Sequence, residues 1–251
     1  MLNTVEMGEG DVPLLIVHGL FGSARNWGVL QKRLAAKRRV IAVDLRNHGS
    51  SFWDDDNSYE ALAGDLAEVI TEHGGVADVL GHSMGGKAAM VLALTRPEMV
   101  QRLIVADIAP VAYGHTQAKH IKAMQAVDMS VVTRRSEADK QLAAMVVEAP
   151  LRAFFLQSIG LGESGARWKL NLEALGAEMP KIMGFPALAS IFGGPVLMLR
   201  GASSDYVTPE RQPEILRLFP QAAFEAIPGA GHWLHAEKPR EFQAAVEAFL
   251  G

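Results

Sequence analysis

Short unbroken apolar runs punctuate the chain: Leu14-Leu15-Ile16-Val17, Val40-Ile41-Ala42-Val43, Val79-Leu80, Leu103-Ile104-Val105-Ala106 and Val196-Leu197-Met198-Leu199. A strand with one face in water alternates apolar with polar residues, whereas one covered on both faces is apolar throughout. The runs therefore predict buried strands of a parallel sheet, with Phe224-Glu225-Ala226-Ile227 as its last strand. Between them, apolar residues recur at helical spacing: Trp27, Leu30, Leu34; Leu62, Leu66, Val69, Ile70; Phe242, Val246, Phe249, Leu250. Strands alternating with helices predict an α/β fold with a doubly wound, mostly parallel sheet.

The rhythm fails between Val111 and about Ala189, where helical patterns such as Ile121-Lys122-Ala123-Met124 occur without a convincing strand. Residues 1–110 and 190–251 are expected to form the core, and 111–189 a helical cap inserted after the strand that ends at Asp107. Met124, Met129, Met145, Met179 and Met183 concentrate in that insertion. Core packing explains them, and a pliable apolar wall for a substrate is the sharper reading. The uncharged stretch from Ile182 to Leu199 raises the question of a membrane span, but Pro186, Gly193, Gly194 and Pro195 would break its helix. It reads as a loop entering a buried strand.

A chain of 251 residues, 49% of them hydrophobic, suffices for one large domain. The net charge of -4 and the lack of a basic cluster interleaved with aromatics argue against nucleic acid as a partner. Absence of cysteine excludes disulfides, thiolate metal sites and a cysteine nucleophile, and fits a reducing compartment. Met1-Leu2-Asn3-Thr4-Val5-Glu6 has neither a basic start nor an apolar run, so no signal peptide is expected and the placement is cytoplasmic. Lys119, Lys122, Arg134, Arg135, Arg152, Arg167 and Lys169 make the insertion more basic than the rest. A solvated face accounts for them, although they could attract a phosphate-bearing acyl carrier.

Gly81-His82-Ser83-Met84-Gly85 lies where the run ending at Leu80 meets the apolar helical stretch Ala88 to Leu94. Strand, Gly-x-Ser-x-Gly and helix in that order form the nucleophile-elbow pattern, in which small neighbours let a strained turn expose its serine. A serine hydroxyl needs a base, and the base needs a partner that fixes its tautomer. His232 follows the last strand, in Ala230-Gly231-His232-Trp233. Ser83, Asp107 and His232 all fall at carboxyl ends of strands, where ligands meet such sheets. His235 reads as structural, and a His232/His235 metal pair lacks supporting ligands. The acid is open between Asp107, after the strand next to the elbow, and Asp205, in Gly201-Ala202-Ser203-Ser204-Asp205-Tyr206-Val207. The usual Gly-x-x-Asp register would put Ser204, not Asp205, at the carboxylate's place.

Acyl transfer also needs two amide donors for an oxyanion. Met84 supplies one, and His18-Gly19-Leu20-Phe21-Gly22-Ser23 the other, from Leu20 or alternatively Phe21. His18 reads chiefly as a brace for that loop, and with Phe21 and Trp233 it is placed at the substrate. The loop lacks the glycine and lysine patterns of nucleotide sites. In Asp44-Leu45-Arg46-Asn47-His48-Gly49, Asp44 and Arg46 are expected to hold backbone groups.

The loop at His18, Asp44-Leu45-Arg46-Asn47-His48-Gly49, the elbow and Gly231-His232-Trp233 together resemble the α/β-hydrolase superfamily. Arg46-Asn47-His48-Gly49, Asp107-Ile108-Ala109-Pro110, Trp168-Lys169-Leu170-Asn171-Leu172 and Ser204-Asp205-Tyr206-Val207 are similar to the bacterial YbfF-type esterases. The resemblance runs from about Leu14 to Leu250. It implies a serine hydrolase of small-molecule acyl esters or thioesters, monomeric or homodimeric, with no metal or organic cofactor. It also implies Asp107 as the acid, since members carry serine at the position of Ser204. The same triad could serve carbon–carbon bond hydrolysis, a lyase step or perhydrolysis, and a non-catalytic binding protein is the reading from another class.

Overall fold

Each apolar run forms a strand of one seven-stranded sheet in the structure, a computed structural model that describes residues 1–163 and 165–251. The strands of this sheet are β1 (Asn3–Met7), β2 (Leu14–Val17), β3 (Val40–Asp44), β4 (Ala77–His82), β5 (Val100–Ala106), β8 (Val196–Gly201) and β9 (Ala222–Ile227). They lie in the order β1-β3-β2-β4-β5-β8-β9. Only β1 is antiparallel, pairing Asn3 with Asp44 and Met7 with Val40. That edge strand escapes the sequence reading because it is short and half polar.

Although the runs are apolar throughout, their side chains alternate between two cores, as strand geometry requires. Leu15, Val17, Ile41, Val43, Val79 and Val105 join the larger one, with helices α2 (Tyr59–Glu72) and α3 (Met84–Thr95). Leu14, Ile16, Val40, Ala42, Leu80 and Ile104 face the other. There they meet α1 (Gly28–Leu34), and α10 (Leu234–Glu237) and α11 (Pro239–Leu250) at the end of the chain. Helix α2 begins at Ser58, whose hydroxyl accepts from the Ala61 amide.

Between β5 and β8 the chain leaves the sheet and forms α4 (Ala118–Gln125), α5 (Arg135–Leu142), α6 (Ala149–Leu156), α7 (Leu172–Ala177) and α8 (Met179–Met183). It then returns, with α9 (Gln212–Leu218) leading to β9. The expected absence of strands from this insertion is corrected by an antiparallel hairpin, β6 (Ile159–Gly162) with β7 (Gly165–Trp168). Gly160, Gly162 and Gly165 hide it, since glycine carries no strand preference. Ile182 and Met183 end α8, and the uncharged stretch beyond them is loop up to β8. Among the described residues no helix is long and apolar enough to cross a membrane.

Candidate active site

Non-glycine residues with left-handed φ are uncommon, and here they sit after successive strands: Phe21 at 65°, Asn47 at 65°, Ser83 at 53° and Asp107 at 55°. Such conformations cost about 1–3 kcal/mol each and persist only where the surroundings fix them. At Ser83 the surroundings are glycines. A Cβ on Gly81 would fall 2.3 Å from the Gly85 carbonyl oxygen, and one on Gly85 would fall 2.3 Å from that of His18. Strand and helix therefore close on each other only with hydrogen at both places, and the turn lifts the Ser83 hydroxyl out of the sheet.

Ser83 Oγ lies 3.1 Å from His232 Nε2, and His232 Nδ1 lies 2.7 Å from Asp107 Oδ2. The carboxylate accepts at Nδ1, so that nitrogen carries the hydrogen and Nε2 is left to accept from the serine. Asp107 has no exposure to solvent. Its Oδ1 accepts from the Gly201 amide at 3.1 Å, and Oδ2 also accepts from the Ser204 hydroxyl at 2.5 Å. Asp205 stands apart: it is exposed, and among the described residues only its carbonyl is bound, by Arg211. The structure thus joins Ser83, His232 and Asp107 in one chain and leaves Asp205 outside it.

His82 occupies a variable position of the Gly-x-Ser-x-Gly pattern, so the sequence assigns it no role. Its Nε2 donates to the His232 carbonyl at 2.9 Å, tying the two loops together. Burial, reinforced by His235 and His232, pushes His82 well below the usual imidazole pKa, so it acts as a neutral donor. His235 is stacked on Trp27 with centroids 4.3 Å apart, and burial lowers its pKa to about 3. Its ring packs beside His82 as a wall of the site. Tyr206 stacks on His232 at 4.1 Å, with its hydroxyl 2.8 Å from His115 Nε2 of the insertion.

The loop after β2 is braced by histidines. His18 Nδ1 donates to the Gly19 carbonyl and Nε2 accepts from the Leu45 amide, so both ring nitrogens are engaged within the loops, although the ring lines the cleft. His48 repeats the arrangement, donating to the Arg46 carbonyl and accepting from the Phe21 amide at 3.2 Å. Burial first, then the nearby His18, lowers the pKa of His48 to about 3. The Phe21 amide is thereby occupied. Among the described residues the amides of Leu20 and Met84 have no acceptor, and both residues line the cleft with Ser83. Asp44 holds the Ala24 and Ser50 amides as expected, whereas Arg46 is drawn chiefly to Asp65, in a bidentate pair at 2.6 and 2.8 Å.

The cleft over Ser83 encloses about 830 Å³, its open mouth included. Phe154 and Phe155 of α6, Leu151, Ile182 and Met183 supply an apolar wall from the insertion. Phe21 packs edge-on against Phe155, while Trp233, 36% exposed, stands at 6.2 Å from Phe154. Lys87 of α3 is buried beneath this wall and donates to the carbonyls of Met183 and Gly184. Burial, with Arg211 adding, depresses its pKa to about 7. The apolar lining around Ser83 suits an organic molecule with a short polar centre.

A profile of the alpha/beta hydrolase family matches residues 14–245. An sn-1-specific diacylglycerol lipase of Mus musculus is 46% identical, over 97% of this chain and 82% of its own length. Esterase YbfF of Escherichia coli is 36% identical, over 98% of this chain and 96% of its own. Among solved structures, a marine microorganism esterase superposes with a TM-score of 0.95 at 39% identity, covering 99% of this chain and 98% of that one.

Proposed function

The chain belongs to the alpha/beta hydrolase family, as a carboxylesterase of its esterase group, and from that premise we propose that it cleaves acyl esters or thioesters through an acyl-enzyme on Ser83. The observation that carries this reading is the unbroken chain from Ser83 Oγ through His232 to Asp107, with distances of 3.1 and 2.7 Å. His232 Nε2 takes the serine proton as Oγ attacks the acyl carbonyl. Asp107 steadies the imidazolium, and the oxyanion accepts from the Leu20 and Met84 amides. Donors placed in this way are worth about 2.7–4 kcal/mol each in the transition state. The intermediate collapses as His232 returns the proton to the leaving oxygen or sulfur. Water, activated by the same imidazole, then releases the acid and frees Ser83.

Residues 111–189 act in this scheme as the cap that selects the acyl group. Its apolar wall favours a hydrocarbon chain, with Phe21 and Trp233 along the path, and the lipase activity named for the mouse relative is in keeping with that preference. Replacing Ser83→Ala is expected to lower turnover of p-nitrophenyl butyrate by about 10⁴-fold or more, with no change in Tm. The wild type should be labelled by a fluorophosphonate and the variant should not. Asp107→Asn is expected to cost about 10⁴-fold while Asp205→Asn stays near wild type. Activity retained by Ser83→Ala would overturn the proposal, and a collapse confined to Asp205→Asn would reassign the acid.

A further inference from the structure

An apolar cleft takes its specificity from the few polar side chains that face it with bonding capacity to spare. Around Ser83 several such groups are already engaged. Asn26 donates to Gln157 Oε1 and accepts from the Ser23 amide, and Tyr59 donates to the Ile182 carbonyl. The Tyr113 hydroxyl accepts from the Ala109 amide and donates to the Tyr206 carbonyl. Gln117 and His120 differ. Gln117 stands at the start of α4 and His120 in its first turn, both half-buried and both in the wall that the insertion turns to the cleft.

The His120 amide donates to the Gln117 carbonyl at 2.9 Å, so the two side chains share one face of the turn. His120 Nδ1 lies 2.7 Å from Gln117 Oε1, and the ring is tilted against Phe155 with centroids 5.4 Å apart. That bond uses one ring nitrogen and one amide atom. With the hydrogen on Nδ1, Nε2 is left to accept and the amide NH2 to donate; with the amide turned over, Nε2 is left to donate and the amide oxygen to accept. Either way the pair keeps a donor and an acceptor, and among the described residues neither has a partner. Burial, with Lys119 adding and Glu148 opposing, pushes the His120 pKa below the usual imidazole value, so the pair is uncharged at neutral pH.

We propose that Gln117 and His120 form a polar subsite in the roof, which takes a neutral hydroxyl carried by the ester at a distance from its reacting carbonyl. The inference rests on the reading of Ser83 given above. A hydroxyl is donor and acceptor at one atom, and so matches what the pair has left. A carboxylate offers acceptors alone, and the uncharged pair supplies no counter-charge. Against Leu151, Phe154 and Phe155 by themselves, a hydroxyl would lose its water without replacement. The pair therefore gives hydroxylated esters a place that the rest of the wall denies them.

The test compares kcat/KM within two pairs of esters that differ by hydroxyl against methyl: glycol monobutyrate with propyl butyrate, and the ethyl ester of ω-hydroxyhexanoate with ethyl heptanoate. The first pair carries the hydroxyl in the alcohol and the second in the acyl chain, so the pair that responds tells which part of the ester reaches the subsite. His120→Phe, which keeps a ring against Phe155, and Gln117→Leu should each lower the ratio of hydroxylated to plain ester about 10-fold in one pair. The ratio is internal to each preparation, so loss of folded protein does not move it, and fluorophosphonate labelling counts the competent sites. Ratios that stay within about twofold of wild type in both pairs and both variants overturn the proposal. Ser83→Ala, run in parallel, separates the two readings: if it turns over these esters as the wild type does, the reading of the cleft has failed. If it is inert while the ratios do not respond, only the subsite has failed.

Discussion

Beneath the cleft, β4 and α3 are buried along nearly their whole length, every residue of α3 from Met84 to Leu94 included. Above it, α5 buries only Ala138 and Leu142, and α6 only Phe155. The floor is fixed by backbone closeness, with glycines at contacts no side chain could share. The roof is fastened by separate polar ties: Tyr59 to the Ile182 carbonyl, Lys87 to those of Met183 and Gly184, Asn171 to Asn47, and Ser158 to the Phe21 carbonyl. Reacting atoms need fixed positions, which close packing provides. A wall that accommodates different acyl groups works with fewer and more separable contacts. Under the proposed function, the difference assigns chemistry to the floor and selection to the roof.

Substitution in the floor should break this contrast most severely. A Cβ on Gly85 would stand 2.3 Å from the His18 oxygen and 2.6 Å from that of Val17, both backbone atoms. Gly85→Ala should therefore cost more than about 4 kcal/mol or prevent folding, far beyond the gain of up to about 1 kcal/mol in helix propensity. Circular dichroism melting checks this, and an unchanged Tm would refute the account of the floor. Acid should act next. His48 and His235 both have folded pKa values near 3, below the ordinary 6.5. The unfolded chain gains their protons first as pH falls, so stability is full above about 6.5 and is lost progressively towards 3, at up to about 1.4 kcal/mol per pH unit for each group. Urea midpoints at pH 7, 5.5 and 4.5 should drop in that order, and His48→Gln should flatten the slope. The smallest effect belongs to a single roof tie. Tyr59→Phe deletes the 2.6 Å bond to Ile182 and should cost about 1 kcal/mol. It should lower kcat/KM for long acyl esters more than for acetyl, with fluorophosphonate labelling of Ser83 unchanged; an equal effect on all chain lengths would place that tie outside selection.

The parts that could be read in the chain are those whose cause is local. Continuous apolar runs marked the central strands because burial on both faces leaves no polar position. The elbow was legible because the need for small residues falls within a few positions of Ser83. The edge strand β1 and the hairpin β6–β7 left weaker traces, one being half polar and the other rich in glycine. His48 escaped notice as a turn residue, since its partner, the Phe21 amide, lies 27 positions away. Lys87 carries no local signal in the sequence, because its partners lie 96 and 97 positions later.

By itself the sequence determined the central strands with their flanking helices and the turn that presents Ser83, because periodicity and glycine spacing act over neighbouring residues. The acid was different. Asp107 and Asp205 both follow strands, and residue spacing does not show which carboxylate reaches an imidazole delivered by a third loop. Tertiary structure decided the placement through the pairing of β5 with β8, which sets Asp107 against Gly201 and Ser204 and turns its Oδ2 to His232. Contacts between distant strand ends arise only when the sheet is assembled.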